Sequence, residues 1–206
     1  MVITENRFHK KIERENLMDY EYWSNYLFQA QRKVMAVEPI TDNEKELSVN
    51  DGYKIQNLLL DYKCNDGEKI IGAKAGLTSL AKQKAMGVNE PVYGIITDKM
   101  KLEPDKKVAL DNFIHPRIEP EIVFILGKDL SGHNLSIEEI LDATESICCG
   151  LEIIDSRYLD FRFTLADVVA DNTSASAFIL GNPIPLDGLK LDLLGCLLEI
   201  NNEVVA

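Results

Sequence analysis

A stretch near the middle of the chain decides the fold class, and it reads Arg117-Ile118-Glu119-Pro120-Glu121-Ile122-Val123-Phe124-Ile125-Leu126-Gly127. The apolar run that follows the second glutamate is typical of a buried β-strand. Residues two apart in a strand point to the same face, so Glu119 and Glu121 are predicted to project side by side. Two like charges this close are costly unless a cation or a shared proton lies between them.

The face that carries the two glutamates favours a site over a solvated strand. In an arbitrary sequence, such a pair would simply lie on the exposed face of an edge strand. Here Val123 and Ile125 continue the same face as apolar residues, which a solvated face would not do. A second apolar segment, residues 150–155, carries Glu152 among hydrophobic residues. Three converging carboxylates would suit a hard divalent cation such as Mg²⁺ or Mn²⁺.

Composition and charge limit the class of protein. The chain has 206 residues, of which 46% are hydrophobic and 27% charged, as in an ordinary soluble globular protein with a substantial core. Its formal net charge of −12 argues against binding to nucleic acid or to an anionic membrane surface. The first residues lack the apolar core of a signal peptide, and no apolar run approaches membrane-spanning length. We therefore expect a cytoplasmic protein.

The cysteines and histidines do not show the spacing of a metal site. The four cysteines include no CxxC pair, and Cys148 and Cys149 fall in a segment that is predicted to be core. Buried, reduced thiols are the expectation. The three histidines show no pattern such as HExxH, so zinc is not expected.

Hydrophobic periodicity divides the chain into two predicted regions. Residues 1–66 form an N-terminal helical region, and residues 67–206 form a β-rich catalytic core. The predicted helices lie around Phe8 and Ile12, over residues 20–34, 53–62 and 78–86 (the last capped by Gly87), and from Ser136 onward. The predicted strands are residues 70–75, 92–97, 107–110, 118–126, 150–154, 175–180 and 197–200, the last followed by a hairpin turn at Asn201-Asn202. The fold class is therefore α+β.

Five sequence blocks, in this order, resemble one family. They are Lys74-Ala75-Gly76-Leu77-Thr78-Ser79, Met86-Gly87-Val88 with Pro91-Val92-Tyr93-Gly94, His115-Pro116-Arg117-Ile118-Glu119-Pro120-Glu121, Leu151-Glu152-Ile153-Ile154-Asp155-Ser156-Arg157-Tyr158, and Val169-Ala170-Asp171-Asn172-Thr173-Ser174. On these blocks the chain resembles the vinylpyruvate hydratase and 4-oxalocrotonate decarboxylase branch of the fumarylacetoacetate hydrolase superfamily. The resemblance implies a mixed, mainly β core of the fumarylacetoacetase C-terminal-like kind, which works as an oligomer.

The resemblance also implies roles for individual residues. Glu119, Glu121 and Glu152 match three metal-binding carboxylates, Lys74 matches an active-site lysine, and Ser174 matches a substrate-contacting serine. We take Lys74 and Ser174 as the catalytic candidates. The other substrate-binding candidates are Leu77, Thr78, Val92 and Asn172. An ion pair between Asp155 and Arg157 is a further expectation, because it would orient Glu152.

The implied activity is that of a divalent-metal-dependent lyase acting on 2-hydroxydienoate or 2-oxo-enoate acids of aromatic meta-cleavage catabolism. Such substrates present a carboxylate oxygen and the neighbouring C2 oxygen, which can chelate an ion that stabilises enolate charge. Decarboxylation of 4-oxalocrotonate and hydration of 2-keto-4-pentenoate (2-hydroxypenta-2,4-dienoate) both fit. The resemblance suggests that hydratases carry an acidic residue after the proline of the Pro91-Val92-Tyr93-Gly94 block, where this chain has Val92. We therefore favour the decarboxylase.

Two further hypotheses remain open. One is an acylpyruvate carbon–carbon hydrolase of the same superfamily, in which the resemblance suggests Asp as the usual third metal ligand in place of Glu152. The other is a non-catalytic subunit, because family members continue beyond the point where this chain stops and we expect a C-terminal segment of the core to be missing. For the enzyme, the expected partners are a small unsaturated 2-oxo or 2-hydroxy acid, further copies in a homo-oligomer and a decarboxylase–hydratase complex.

Overall fold

The computed structural model describes residues 18–191 and 194–205, and it has the predicted α+β architecture. The helices are α1 (Tyr20–Arg32), α2 (Val49–Asn65), α3 (Leu80–Met86), α4 (Ile137–Ala143) and α5 (Leu165–Ala170). The strands are β1 (Ile70–Gly76), β2 (Val92–Thr97), β3 (Lys101–Leu102), β4 (Pro116–Leu126), β5 (Thr144–Asp155), β6 (Ala175–Leu180), β7 (Ile184–Pro185), β8 (Glu199–Ile200) and β9 (Glu203–Val204). Of the helices in the described ranges, none combines the length and apolar character that crossing a membrane requires.

The helices begin and end at capping residues that the sequence supplies. Ser48 begins α2 with a capping box, in which its hydroxyl accepts from the N–H of Asp51 and its own N–H donates to the Asp51 carboxylate. Ser136 begins α4 in the same way. Gly87 ends α3 with φ of 68°, a conformation that glycine adopts without steric cost. The helices predicted in these places are confirmed, and the one expected around Phe8 and Ile12 lies outside the described residues.

The sheet that carries β4 and β5 is the frame of the candidate site. Its strand order is β3-β6-β5-β4, with β7 also paired to β5. β4 and β5 pair antiparallel, so that Glu119 lies directly opposite Glu152 and Glu121 lies opposite Gly150. β1 and β2 form a separate antiparallel hairpin. The prediction that the two segments rich in glutamate and apolar residues are strands is therefore confirmed, and their pairing brings the acidic residues together.

Most of the other predicted strands are confirmed, and one is wrong. Residues 92–97 and 175–180 match β2 and β6, and Asn201-Asn202 turns the hairpin of β8 and β9. Residues 107–110 do not form a strand; residues 110–112 make a 3-10 turn instead. The apolar residues of this segment do not pack into a sheet: Leu110 is 69% exposed, and the charged, exposed residues 103–107 precede it.

The two neighbouring cysteines of β5 differ in exposure. Cys148 is buried, as expected, but the expectation is wrong for Cys149, which is exposed. Successive residues of a strand point to opposite faces of the sheet, so a pair of adjacent cysteines does not share one environment.

The main hydrophobic cluster joins the first two helices, α1 and α2, to α5, which lies about 100 residues further along the chain. Trp23 and Leu27 of α1 pack with Ile55 and Leu59 of α2, and Tyr158 lies fully buried among them. The cluster also includes Ile40, Leu47, Ala166 and Ala170. Residues from both sides of the predicted boundary at residue 66 thus share one core, and the division into two regions stays a prediction.

A buried arginine ties the end of β5 to the segment that leads into β6. The guanidinium of Arg157 is ion-paired with the carboxylate of Asp171, and their side chains are 2% and 0% exposed. It also donates to the carbonyl oxygens of Asp155, Asp171 and Ala175. The expected pair between Asp155 and Arg157 is therefore wrong: the Asp155 carboxylate accepts instead from the backbone N–H groups of Ile114 and His115.

This pair generates a stability prediction. Asp171→Ala would leave the Arg157 guanidinium buried without its counter-ion, and we expect it to lower the free energy of unfolding by about 3–5 kcal/mol. Equilibrium urea unfolding measures the change. The control is Asp42→Ala, which removes a partner of Arg162 from an exposed ion pair and should change stability little. Equal stability of the two variants would contradict the prediction.

Candidate metal and catalytic site

Three carboxylates converge on one face of the paired strands β4 and β5. One oxygen from each of Glu119, Glu121 and Glu152 lies within 4.8 Å of the other two. Glu152 is 5% exposed, while Glu119 and Glu121 are half-buried at the edge of the sheet. Like charges at this distance repel strongly at a half-buried site, so the cluster is suited to hold a cation.

Two features of the structure test whether a divalent ion fits among these groups. Among the described residues, Oε1 of Glu152 is buried and has no hydrogen-bond partner, so it has a lone pair available to a cation. Gly150 leaves space beside Glu121: a Cβ at this position would lie 2.7 Å from Val123 Cγ2 and 3.9 Å from Glu121 Cβ. An all-oxygen donor set with an unsatisfied buried oxygen fits a hard divalent cation.

Lys74 of β1 lies against the most buried of the three carboxylates. Its Nζ is 2.8 Å from Oε2 of Glu152, and the two side chains are only 11% and 7% exposed. The same Nζ donates to the carbonyl oxygen of Thr173 at 3.3 Å. The structure thus brings the predicted active-site lysine to the predicted metal ligands, with its charge confined and directed into the site.

Burial sets the electrostatics of the carboxylates. Desolvation raises the pKa of Glu152 above its ordinary value, and the positive charge of Lys74 counteracts this only in part. Desolvation also raises the pKa of Glu121. Repulsion from the neighbouring charge of Glu119 raises it further. Both groups hold their protons more tightly than free carboxyl groups do, because burial and the neighbouring like charges disfavour the charged form.

The other predicted site residues lie on segments next to the carboxylates. Ser174 directly precedes β6, whose first residue pairs with Ile154, and its Oγ is among the buried side-chain atoms of the described chain without a hydrogen-bond partner. Val92 is 4% exposed and lies opposite Gly76 in the β1–β2 hairpin. The roles of these residues toward a substrate stay predictions.

Three predicted substrate-binding residues differ in what they offer to a ligand. Leu77 follows β1 with φ of 57°, and its carbonyl oxygen accepts from Nε2 of Gln83. Thr78 is exposed. Asn172 is 1% exposed, and both ends of its amide are hydrogen-bonded to the backbone of Ile95. Its predicted contact with a substrate also stays a prediction.

Two contributors to the site were missed in the sequence. Lys82 of α3 lies with its Nζ 3.6 Å from Oε1 of Glu119, on a side chain that is 66% exposed. Its position in a surface helix gives no hint of this contact. Gly150 did carry a signal, because a glycine inside an apolar strand often marks a place where another group approaches closely.

The raised pKa values generate a prediction about pH and metal. The unfolded carboxyl groups lose their protons near the ordinary value of 4.5, before the folded ones do. The metal-free protein should therefore lose stability from these two groups as the pH rises above 4.5. A divalent cation favours the charged carboxylates, so Mg²⁺ should raise the thermal unfolding midpoint more at about pH 8 than at about pH 5. Differential scanning fluorimetry measures both effects.

The control for this prediction is Glu121→Gln, which removes one of the two titrating groups. The variant should show a weaker dependence of the midpoint on pH in the metal-free protein and a smaller shift on adding Mg²⁺. A larger Mg²⁺ shift at the lower pH in the unaltered protein would overturn the account.

Comparison with known proteins finds relatives that are named decarboxylases and relatives that are named hydratases. No family model matches the chain. Over 143 residues it is 41% identical to a 4-oxalocrotonate decarboxylase of Pseudomonas sp, a match that covers 69% of this chain and 56% of that protein. It is 37% identical to a 2-hydroxyhexa-2,4-dienoate hydratase of Comamonas testosteroni, over 86% of this chain and 67% of that protein. The chain thus spans about half to two thirds of the length of these relatives.

A solved structure agrees with these relatives. The 4-oxalocrotonate decarboxylase from Pseudomonas putida, complexed with magnesium and adipate, superimposes with a TM-score of 0.86 at 34% identity. The match covers 90% of this chain and 71% of that chain. The expected resemblance is confirmed: the chain belongs to the 4-oxalocrotonate decarboxylase and 2-keto-4-pentenoate hydratase branch of the fumarylacetoacetate hydrolase superfamily.

Proposed function

We propose that this chain is a Mg²⁺-dependent lyase that acts on unsaturated 2-oxo or 2-hydroxy acids of aromatic catabolism, with 4-oxalocrotonate decarboxylase activity as the first choice. The observation that carries the proposal is the convergence of three carboxylates with a buried lysine, Lys74, against the innermost of them. A lysine beside a cation site supplies positive charge at the place where an oxyanion would form.

Glu119, Glu121 and Glu152 would hold the ion. When bound, Mg²⁺ supplies Lewis-acid stabilisation of negative charge on the C2 oxygen of a 2-oxo acid. The magnesium in the related decarboxylase structure supports this choice of metal. Lys82 would be released from Glu119 once that carboxylate is neutralised, because an exposed ion pair contributes little.

Lys74 would stabilise the negative charge that forms during the reaction and take part in proton transfer. In decarboxylation, the bond to the distal carboxylate breaks, CO2 leaves, and the electron pair moves through the conjugated chain to the C2 oxygen. The Lys74 ammonium would stabilise that oxyanion and then donate one proton to it, which gives a 2-hydroxydienoate, and solvent would reprotonate the lysine. Ser174 would supply a hydroxyl donor to the substrate, since its buried Oγ has no partner in the described structure.

Val92 supports decarboxylation over hydration. It is 4% exposed, and an apolar side chain can neither activate water nor carry a proton. The resemblance suggests an acidic residue at this position in hydratases. An apolar wall there would keep water away from the unsaturated chain of the substrate, which decarboxylation tolerates and hydration does not.

Hydration of a 2-hydroxypenta-2,4-dienoate is the second candidate. Relatives named hydratases match this chain over about as much of its length, and at about the same identity, as relatives named 4-oxalocrotonate decarboxylases do. In this reaction the substrate would first tautomerise to an enone, and water would then add to its far end. Lys74 could serve the proton transfers, but another group would have to activate the water.

Association with further copies of the chain is part of the proposal. On the face of β4 opposite the glutamates, Ile118, Phe124 and Leu126 are 55%, 42% and 47% exposed. A row of exposed apolar side chains on an edge strand is typical of a surface that another chain covers. A homo-oligomer and a decarboxylase–hydratase complex are both compatible with such a surface.

A substitution at Glu121 tests the metal site. Glu121→Gln keeps the shape of the side chain but removes its charge. Loss of a residue that only hydrogen-bonds to a metal ligand lowers metal affinity by about 10–100-fold, and we expect loss of a ligand's charge to lower Mg²⁺ affinity at least as much. Isothermal titration calorimetry measures the affinity. The control is Glu145→Gln, an exposed glutamate of β5 outside the cluster, which should bind Mg²⁺ as before. Equal affinity in both variants would rule out this carboxylate as a ligand.

A parallel assay separates the two lyase reactions. With Mg²⁺, the protein should release CO2 from 4-oxalocrotonate in its 2-oxo form, obtained from 2-hydroxymuconate by prior tautomerisation, and should leave 2-hydroxypenta-2,4-dienoate largely unchanged. EDTA should abolish the activity, since the carboxylate cluster alone supplies no Lewis acid. Turnover of only the second substrate would establish the hydratase and overturn the argument from Val92. A metal-bound, folded protein that turns over neither substrate would refute both lyase proposals.

A further inference from the structure

The segment that joins α5 to β6 has an unusual backbone. Asn172, Thr173 and Ser174 have φ of 51°, 52° and 56°, and all three are buried. Three successive left-handed residues without a glycine are disfavoured by the contact between Cβ and the following carbonyl, and threonine is the worst placed because it branches at Cβ. Such a turn persists only where contacts with the surrounding structure hold it in place.

The amide of Asn172 is paired with the backbone of β2. Its Oδ1 accepts from the N–H of Ile95 at 2.7 Å, and its Nδ2 donates to the carbonyl oxygen of Ile95 at 2.9 Å. This is the bonding pattern that a neighbouring strand would offer to one residue. Asn172 therefore serves as a one-residue strand partner on the edge of β2 that faces away from β1.

Thr173 makes the second connection between the turn and the hairpin. Its Oγ1 donates to the carbonyl oxygen of Tyr93 at 2.8 Å, and its own carbonyl oxygen accepts from Nζ of Lys74 at 3.3 Å. Residue 173 thus contacts both β2 and the catalytic candidate on β1.

Two glycines allow the hairpin to lie this close to the turn. A Cβ on Gly94 would lie 2.6 Å from the carbonyl oxygen of Asn172, and a Cβ on Gly76 would lie 2.8 Å from Cγ2 of Thr173. Both distances are shorter than side-chain contacts permit, so only glycine fits at either position. Glycine thus occurs in both strands of the hairpin at the places where the turn packs against it.

The strand that carries Lys74 does little to fix its own position, and the hairpin is held through β2: besides the turn, Gln56 and Tyr53 of α2 bond to the backbone of Tyr93. Every residue of β1 except Lys74 and Gly76 is exposed, so β1 does not pack into a core. β1 and β2 pair with each other and lie in a different sheet from β4 and β5. The contact between Lys74 and Glu152 therefore depends on how β2 is docked, and the turn is the part of the docking that also touches Lys74.

We propose that Asn172 and Thr173 are positioning residues. They dock the β1–β2 hairpin onto the sheet that contains β4 and β5, and so hold Lys74 beside Glu152. The effect on turnover rests on the function proposed above, whereas the effect on the placement of Lys74 does not. Asn172 acts here through its amide pair with Ile95, a role distinct from the substrate contact that the family resemblance suggests.

The first test measures the accessibility of Lys74 without any substrate. Asn172→Gly removes the amide pair but tolerates the left-handed backbone. Limited reductive methylation followed by mass spectrometry should show Lys74 labelled about tenfold faster than in the unaltered protein, since loss of paired hydrogen bonds raises the population of the undocked hairpin. The fluorescence of Trp23, the single tryptophan of the sequence, reports on general unfolding in the same sample, because Trp23 is 6% exposed in the main hydrophobic cluster, and it should stay unchanged.

Matched variants complete the design. Asn134→Gly is the control for the glycine substitution, because Asn134 has φ of 60° but is exposed in a loop. Thr173→Val removes the hydroxyl donor and should also raise labelling of Lys74, while Thr173→Ser restores the donor and should return labelling to its original rate. Rescue by serine is not expected if the side chain only fills space.

Binding and turnover supply independent readouts. Mg²⁺ affinity of Asn172→Gly should stay within about twofold, because the three carboxylates lie on β4 and β5. With a substrate that the unaltered protein turns over, kcat should fall by about 10²-fold, with a smaller change in KM, as expected for misplacement of a catalytic group.

The outcomes separate this inference from the proposed function. Faster labelling of Lys74 with unchanged Trp23 fluorescence supports the positioning role, even where neither lyase substrate reacts. Unchanged labelling of Lys74 in both Asn172→Gly and Thr173→Val overturns it. Faster labelling of Lys74 accompanied by a change in Trp23 fluorescence overturns it as well, because the turn would then only stabilise the fold.

Discussion

The buried guanidinium of Arg157 is the contact on which the arrangement of the site depends. It joins the end of β5, which carries Glu152, to the end of α5 and the start of β6 through bonds to Asp171 and to the carbonyl oxygens of Asp155 and Ala175. A planar group with five donors can fix several backbone segments at once, which an apolar side chain could not do. The sheet that carries the three carboxylates and the left-handed turn therefore share one anchor.

The fold also places three carboxylates and a lysine close together in the site. Burial raises the pKa of Glu121 and Glu152, and within the described part of the chain Lys74 and the exposed Lys82 oppose the repulsion among the three carboxylates. Such a cluster is costly in the absence of a cation, and it exists because pairing of β4 with β5 has a fixed register. A one-residue slip would turn Glu119 and Glu121 to the opposite face and disperse the site.

The sequence predicted the strands of the site well, because alternation and apolar runs are local signals. It identified Glu119, Glu121 and Glu152 as convergent acidic residues and suggested Lys74 by resemblance. It failed where the partner is distant along the chain: Arg157 pairs with Asp171 and not with the nearby Asp155, and Lys82 reaches Glu119 from a surface helix. Short elements such as α5 were also missed, since they are stabilised by the common hydrophobic cluster more than by their own periodicity.

By itself, the sequence determined which residues could form helices and strands, where the helices are capped, and that two glutamates share one face of a strand, since these follow from backbone geometry over a few residues. Only the tertiary structure decided which groups meet. The placement of Lys74 against Glu152, the docking of Asn172 on Ile95 and the space left by Gly150 all depend on strand register and on the packing of one sheet against a separate hairpin. Those contacts join residues far apart in sequence, and no local pattern encodes the distance between them.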